Sequence, residues 1–145
     1  GTNGCPEFRG TKVTTDYRVV DNKEWEVLRL VTRLADDRLQ SDGTVGWGGN
    51  SGFQALNMVV NFGCKKIILV GFDATIKYGL HWHEPYPGEN NPTSSKTLRW
   101  QRALDNAAIT LERLLGITVV NCSKISRLTK FPKMSFEEAL DRFLA

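Results

Sequence analysis

The segment that most constrains the fold runs from Gly48 to Asp73 and reads GGNSGFQALNMVVNFGCKKIILVGFD. It combines a glycine-rich turn, an amphipathic helical stretch and a short apolar strand that ends in a carboxylate. Apolar residues recur at helical spacing from Phe53 to Val60, and Gly63 suits the left-handed residue that often ends a helix. The segment therefore predicts a helix followed directly by a buried strand, which is the repeating unit of α/β proteins.

Later segments continue this alternation of helices and strands. Lys66–Gly71 and Ile117–Asn121 are apolar runs of strand length, typical of parallel strands covered on both faces. A second helix is predicted from about Lys96 to Leu115, and a third begins at Ser135, where Glu138 completes the pattern of a capping box. Short connections favour parallel pairing, so we expect a Rossmann-like three-layer α/β sandwich with a mainly parallel sheet.

The first third of the chain departs from this pattern. Lys12–Thr15 and Trp25–Thr32 are predicted as strands, whereas the glycines and aspartates of Arg33–Gly49 favour a loop. A doubly wound sheet normally opens with a buried strand and a glycine-rich turn, and the chain begins without one. We therefore expect residues 1–145 to form one α/β domain, the C-terminal portion of a larger Rossmann-like domain that lacks its N-terminal strand–turn–helix unit. The exposed sheet edge predicts self-association into a homo-oligomer.

Composition argues against several classes of partner. The net charge is +3, and the one adjacent basic pair is Lys65-Lys66, so no basic stripe for nucleic acid is present. The apolar runs are far shorter than a membrane span. The three cysteines contain no CxxC pair, which indicates reduced thiols, with Cys64 and Cys122 packed as small hydrophobic residues. These features predict a cytoplasmic protein without a nucleic-acid or membrane partner.

The glycine-rich turn is the first candidate binding site. Gly49, Asn50, Ser51 and Gly52 stand at the start of the first helix, where unpaired backbone N–H groups attract phosphate or carboxylate. The alternative is an ordinary capped helix whose glycines only allow a tight turn. Asp73 could hold a metal, a ribose hydroxyl or a sugar hydroxyl, or could merely cap its own turn. Because ligands of open α/β sheets bind beyond the carboxyl ends of strands, we expect both segments to border one crevice.

Both histidines of the chain lie on a long loop, residues 74–95, that is rich in glycine and proline. His81 and His83 could bind a metal, or one of them could act as general base or acid near neutral pH. They could also be incidental to a surface loop. No third ligand stands at a suitable spacing, so no metal site is predicted. Asn121 and Ser123, at the end of a predicted strand, could face the same crevice or simply be a polar strand end.

Four stretches carry a resemblance to known proteins: the Gly48–Asp73 segment, the loop HWHEPYP, the predicted helix that contains Trp100, and GITVVNCSKISRLTKFPKMSFEEAL. Over about residues 8–142 the chain resembles bacteriophage and prophage proteins of unassigned activity. More distantly, it resembles the bacterial sialyltransferase-like fold. That fold includes CMP-sialic-acid-dependent enzymes and archaeal hydroxymethylpterin pyrophosphokinase-like proteins.

The resemblance implies roles for residues already singled out. The turn at Asn50–Gly52 would contact a nucleotide sugar, and Asp73 would lie in the donor site. His81 or His83 would deprotonate the acceptor hydroxyl, and residues 121–123 would border the nucleotide. The implied function is that of a glycosyltransferase-like protein that needs no metal cofactor. The alternatives are a pyrophosphokinase-like enzyme using Mg²⁺ and ATP, and a non-catalytic phage-encoded binding or assembly module.

Overall fold

Helices and short strands alternate along the protein, whose computed structural model describes residues 7–17, 28–80 and 91–145. The described elements are, in chain order, β1 (Lys12–Thr14), β2 (Leu28–Leu30), β3 (Arg33–Leu34), β4 (Val45–Gly46), α1 (Ser51–Asn61), β5 (Lys66–Leu69), α2 (Ser94–Arg113), β6 (Thr118–Asn121) and α3 (Phe136–Leu144). The protein is therefore of mixed α/β class, as predicted. Within the described ranges, no helix has the length and apolar character that crossing a bilayer requires.

Every strand pair in the described residues is parallel. β1 pairs with β2, β3 with β4, and β5 with β6, where Ile67 lies opposite Val119 and Leu69 opposite Asn121. These pairs form three separate two-stranded sheets among the described residues. Parallel pairing thus follows the prediction, whereas the continuous sheet of a Rossmann-like sandwich stays a prediction.

The predicted capping signals set the ends of α1 and α3. The side-chain oxygen of Asn50 accepts a hydrogen bond of 2.8 Å from the Phe53 N–H at the start of α1. Gly63, with φ +84°, follows the end of that helix. At the start of α3, the Ser135 hydroxyl and the Glu138 carboxylate each accept the other residue's backbone N–H, which completes the capping box.

The main core lies between α1, α2 and one face of the β5–β6 pair. It includes the buried side chains of Phe53, Leu69, Leu111 and Val119. Because successive residues of a strand face opposite sides, Lys66 lies on the other face, where its Nζ donates to the Phe143 carbonyl of α3 at 2.9 Å. α3 therefore contacts the other face of β5 through the Lys66 side chain, whereas coverage of both faces by helices stays a prediction.

The loop predicted over Arg33–Gly49 is wrong in part, because it contains β3 and β4. These two-residue strands form through contacts distant in sequence, such as the 2.9 Å hydrogen bond from the Val45 N–H to the Thr32 carbonyl. The buried Asn57 side chain supports the same region, since it accepts hydrogen bonds from the Gln40 and Gly46 N–H groups. Such short strands leave no alternating pattern for sequence reasoning to detect.

Several other boundaries also differ from expectation. Of the strand predicted over residues 25–32, β2 is present, while residues 25–27 lie outside the described ranges. α2 starts two residues earlier than predicted because Thr93 caps it, and β5 ends at Leu69. The packing predicted for Cys64 is wrong: this thiol follows the turn that ends α1 and is exposed, whereas Cys122 is half-buried.

Candidate functional site

A cavity of about 250 Å³ opens at the start of α1, between the end of β5 and the side of α2. The residues that line it are Asn50, Ser51, Gly52, Gly71, Phe72, Asp73, Ala74, Trp100 and Leu104. The structure thus brings the glycine-rich turn and the carboxylate at position 73 to one crevice. This juxtaposition is the geometry expected for a ligand site beyond the carboxyl end of a strand.

The first wall of the cavity is the N-terminus of α1. Both polar groups of the Asn50 side chain are engaged, because Oδ1 accepts from the Phe53 N–H and Nδ2 donates to the Gly48 carbonyl at 3.0 Å. The backbone N–H groups of Ser51 and Gly52, and the Ser51 hydroxyl, have no hydrogen-bond partner among the described residues. These groups, together with the positive end of the helix dipole, form the anion-attracting part of the site.

Gly49 and Gly52, at the start of α1, are each required for a different structural reason. Gly49 has φ +75°, and a Cβ placed there would lie 3.1 Å from Trp100 Cδ1. It therefore packs against the tryptophan that lines the cavity and is not itself a lining residue. A Cβ on Gly52 would lie 3.1 Å from the Phe72 ring, so its absence keeps the space between the helix start and Phe72 open.

The second wall is the turn that follows β5. Asp73 is exposed, and its carboxylate has no partner in the described parts of the chain. Its backbone is fixed, because its carbonyl accepts a hydrogen bond of 2.8 Å from the Arg127 N–H. The next residue, Ala74, is buried with φ +50°, a left-handed conformation that costs an alanine about 1–2 kcal/mol. The surrounding packing thus holds a strained turn that presents the Asp73 carboxylate to the cavity.

The third wall is apolar, and the sequence analysis did not predict a binding role for its residues. Trp100 and Leu104 stand four residues apart on α2 and so share one face of that helix, opposite the ring of Phe72. Leu104 is also a buried member of the core, whereas Trp100 is half-buried. The signal available in the sequence was a tryptophan one turn before a leucine, which does not distinguish a cavity wall from buried packing. Flat apolar walls with few polar groups are typical of small-molecule sites.

Asn121 and Ser123 are not among the residues that line this cavity, so their contact with a ligand stays a prediction. The Asn121 side chain is 1% exposed; its Nδ2 donates to Ser126 Oγ at 3.0 Å, and its Oδ1 accepts from the Ser123 N–H at 2.9 Å. The Ser123 hydroxyl accepts a 2.8 Å hydrogen bond from the Phe72 N–H. The Ser123 side chain therefore holds Phe72 in the turn after β5, and the Asn121 side chain holds the segment that follows β6.

An aromatic and basic cluster adjoins the glycine turn. The Arg99 guanidinium lies 4.5 Å from the ring centroid of Trp47 and makes two hydrogen bonds of 2.9 Å to the Asp37 carboxylate. This carboxylate raises the pKa of Arg99 above its ordinary value. Because Trp47 directly precedes the glycine turn, the cluster connects that turn to α2.

The remaining predictions concern the two histidines and metal binding. His81 and His83 lie outside the described residues, so their predicted roles stay predictions. Within the ranges that are described, no group of three or more histidine, cysteine, aspartate or glutamate side chains converges as a metal site would require.

No protein-family model, curated protein or solved structure matches this chain. The resemblance to phage proteins and to sialyltransferase-like proteins therefore stays a prediction, and the candidate site rests on the geometry of its three walls.

Proposed function

We propose that the cavity at the start of α1 binds a nucleotide or nucleotide sugar and that the protein is glycosyltransferase-like. The observation that carries the proposal is one cavity lined by the Ser51 and Gly52 N–H groups and the Asp73 carboxylate, none of which has a partner among the described residues. The resemblance to sialyltransferase-like proteins supports the same class of donor. Helical contacts on both faces of β5 support the larger Rossmann-like sandwich that we propose for this fold.

Each group that lines the cavity binds a different part of the ligand. A phosphate oxygen accepts hydrogen bonds from the Ser51 and Gly52 N–H groups, which the helix dipole strengthens. The Asp73 carboxylate accepts a hydroxyl of the ribose or of the transferred sugar. The indole of Trp100 offers a flat apolar face to a base or sugar ring. A ligand that carries a phosphate, hydroxyl groups and a ring is chemically complementary to all three walls.

The size of the cavity limits how much of the donor it holds. Its volume of about 250 Å³ is below the roughly 300–1,000 Å³ of sites that enclose drug-sized ligands. The described walls therefore hold the phosphate and one adjoining ring, and the remainder of a nucleotide sugar extends beyond them.

The proposed reaction transfers the sugar to an acceptor hydroxyl. His81 or His83 takes the hydroxyl proton, the acceptor oxygen bonds to the anomeric carbon, and the bond between that carbon and the phosphate oxygen breaks. Negative charge develops on the phosphate oxygen of the departing nucleotide as this bond breaks, and the N–H groups of Ser51 and Gly52 stabilise that charge. A general base of this kind contributes about 10²–10⁴-fold to the rate. Histidine-to-alanine substitution at 81 or 83 should therefore lower transfer by that factor at whichever position holds the base.

A thermal-shift panel tests binding without knowledge of the acceptor. CMP, CDP, UDP, GDP and ATP are each added with and without Mg²⁺, because a ligand that binds only the native state raises its stability. At ligand concentrations about 100 times Kd, the expected gain is about 2.7 kcal/mol. We expect a metal-independent shift with a cytidine or uridine nucleotide. Absence of a shift with every nucleotide contradicts the proposal and favours the non-catalytic binding or assembly module.

Three variants show whether a shift arises at this cavity. Gly52→Ala places a methyl group in the space beside Phe72, and Asp73→Asn removes the carboxylate; both should abolish or strongly reduce the shift. Gly63→Ala is the control, because it lies beyond the far end of α1 and its added Cβ meets nothing within 4 Å. An equal shift in Gly52→Ala and wild type would place the ligand elsewhere.

The pyrophosphokinase-like alternative is favoured by one observation, the free carboxylate of Asp73 beside the anion-attracting helix start. Mg²⁺ is commonly held by one or two carboxylates together with the phosphates of its substrate. Under this alternative, Asp73 would be a ligand of Mg²⁺ bound to ATP. A thermal shift given by ATP solely in the presence of Mg²⁺, and lost in Asp73→Asn, would support it over the glycosyltransferase-like function.

A further inference from the structure

A second cavity, with a volume of about 160 Å³, lies beside the C-terminal half of α2. It is bordered by α2, by β6, by the segment 130–132 and by one residue of α3. None of its lining residues lines the cavity at the start of α1, so the two cavities are separate. What binds in the second cavity therefore does not depend on the proposed function.

The floor of the second cavity is apolar and reaches the core. It is formed by Leu111, which is fully buried, and by Ile117 and Phe131, which are each 4% exposed. The segment that carries Phe131 is held in place, because the Asp105 carboxylate accepts a hydrogen bond of 3.1 Å from the Lys130 N–H. Apolar cavities of about 150 Å³ can hold a benzene-sized group. The floor thus has the size and character to receive one apolar side chain.

One wall of the second cavity is an unpaired part of the outer edge of β6. The Thr118 N–H donates to the Lys65 carbonyl at 2.9 Å, toward β5, so the backbone groups of Val119 face the opposite edge. On that edge the Asn121 N–H donates to the Pro132 carbonyl at 2.8 Å, but the N–H and C=O of Val119 have no partner among the described residues. Val119 is 6% exposed. Buried backbone polar groups are almost always paired, so an occupant of the cavity is expected to bond to them.

Three exposed charged side chains border the same cavity: Glu112, Lys130 and Arg142. No ion pair joins them, and their charged groups have no partner in the described parts of the chain. They supply two positive charges and one negative charge above an apolar floor. This combination is complementary to a small zwitterion with an apolar body.

We propose that the second cavity binds an apolar α-amino acid of about the size of leucine or phenylalanine. Its side chain enters the apolar floor, and its carboxylate accepts hydrogen bonds from Lys130, Arg142 and the Val119 N–H. Its ammonium group donates to the Glu112 carboxylate and to the Val119 carbonyl. A simple monocarboxylate would leave Glu112 unpaired, and a simple amine would leave both cations unpaired. The amino acid is the ligand that pairs all of these groups.

Titration of the isotope-labelled full chain, followed by NMR, tests this assignment. The ligands are leucine, phenylalanine, isocaproate, which is leucine without the ammonium group, and isoamylamine, which is leucine without the carboxylate. Each analogue should bind about fivefold more weakly than leucine, which is the upper range for exposed charge pairs. The Val119 amide resonance should move saturably, whereas that of Ser51 in the first cavity should not. No saturable movement of the Val119 amide with either amino acid, or isocaproate binding as tightly as leucine, overturns the proposal.

Charge-removing variants test the role of each side chain. Glu112→Gln should weaken leucine binding about fivefold and leave isocaproate binding unchanged, because isocaproate has no ammonium group. Arg142→Gln should weaken the binding of both. Arg113→Gln is the matched control, since this exposed arginine of α2 does not line the cavity. Unchanged leucine affinity in Glu112→Gln, or equal losses in Arg113→Gln and Arg142→Gln, overturns the proposal.

Two further measurements on these variants keep the result specific. Urea unfolding should be the same as in wild type, because none of the three charged groups has a partner among the described residues. Any thermal shift by nucleotides should also persist in all three variants, since the first cavity shares no residue with the second. The amino-acid site and the nucleotide site can therefore fail independently.

Discussion

The hydroxyl of Ser123 accepts a hydrogen bond of 2.8 Å from the backbone N–H of Phe72, across 51 positions of sequence. The carbonyl of Phe72 is bound from the same segment, by the Ser126 hydroxyl at 2.6 Å. Both backbone polar groups of Phe72 are thus satisfied by the chain that follows β6. This arrangement fixes the residue that precedes Asp73, so the polar strand end supports one wall of the cavity.

Loss of the Ser123 hydroxyl should destabilise the protein. In Ser123→Ala the partly buried Phe72 N–H loses its acceptor, so the free energy of unfolding should fall by about 1–3 kcal/mol. Urea unfolding followed by circular dichroism measures the change. Ser51→Ala is the matched control: that hydroxyl has no partner among the described residues, and its loss should change stability by less than about 0.5 kcal/mol. Equal stability of the two variants would show that the hydrogen bond between the Phe72 N–H and the Ser123 hydroxyl does not stabilise the fold.

Gly49→Ala should be more harmful than the same change at Gly63. Both glycines have positive φ, +75° and +84°, so each substitution should cost about 1–2 kcal/mol for the left-handed backbone. At Gly49 the new Cβ also lies 3.1 Å from Trp100 Cδ1, whereas at Gly63 it meets nothing within 4 Å. Urea unfolding should therefore show a larger loss for Gly49→Ala, together with a change in tryptophan fluorescence that Gly63→Ala does not produce. Indistinguishable variants would contradict the close packing of Trp100 on the glycine turn.

The capping box of α3 should make stability depend on pH in the acid range. The backbone N–H of Ser135 donates to Glu138 at 2.8 Å and holds the pKa of this carboxyl below its ordinary value of about 4.3. A lowered pKa in the folded state means that the contribution is complete above the unfolded pKa and is lost as the pH falls through the folded one. The stability difference between wild type and Glu138→Gln should therefore be larger at about pH 7 than at about pH 3. A difference that does not change with pH would argue against the ionised capping box.

The parts of the fold predicted from sequence depend on signals only a few residues apart. Asn50 and Phe53, like Ser135 and Glu138, are three positions apart, so the pattern of each cap is complete within one helical turn. The apolar run of β5 likewise indicates the strand and its approximate length from the sequence alone. Such local agreement among propensity, capping and periodicity predicts an element before its tertiary neighbours are known.

The parts that sequence reasoning missed are determined by contacts between distant segments. Ser123 stands at the end of a strand, as predicted, but the direction of its hydroxyl is set by Phe72. Trp100 lines the cavity because its helix crosses the glycine turn, a placement that helical periodicity alone does not distinguish from core packing. The position of the cavity could thus be predicted, whereas the assignment of its walls required the tertiary arrangement.

The two described cysteines should differ in reactivity, which the sequence did not anticipate for Cys64. Burial raises the pKa of the Cys122 thiol, and the nearby charges of Glu137 and Glu138 raise it further; its Sγ also donates to the Ser135 carbonyl at 3.4 Å. Because the thiolate is the reactive form and Cys64 is exposed, a thiol reagent near pH 7.5 should modify Cys64 first.

Peptide mapping by mass spectrometry after timed alkylation, in a Cys5→Ser background, measures the two rates separately. Glu137→Gln with Glu138→Gln removes both negative charges and should raise the Cys122 rate, since the remaining shift in its pKa comes from burial. The Cys64 rate should stay unchanged in that variant and thus serves as the internal control. Faster modification of Cys122 than of Cys64 in the folded wild-type protein would contradict the half-buried position of Cys122 beside α3.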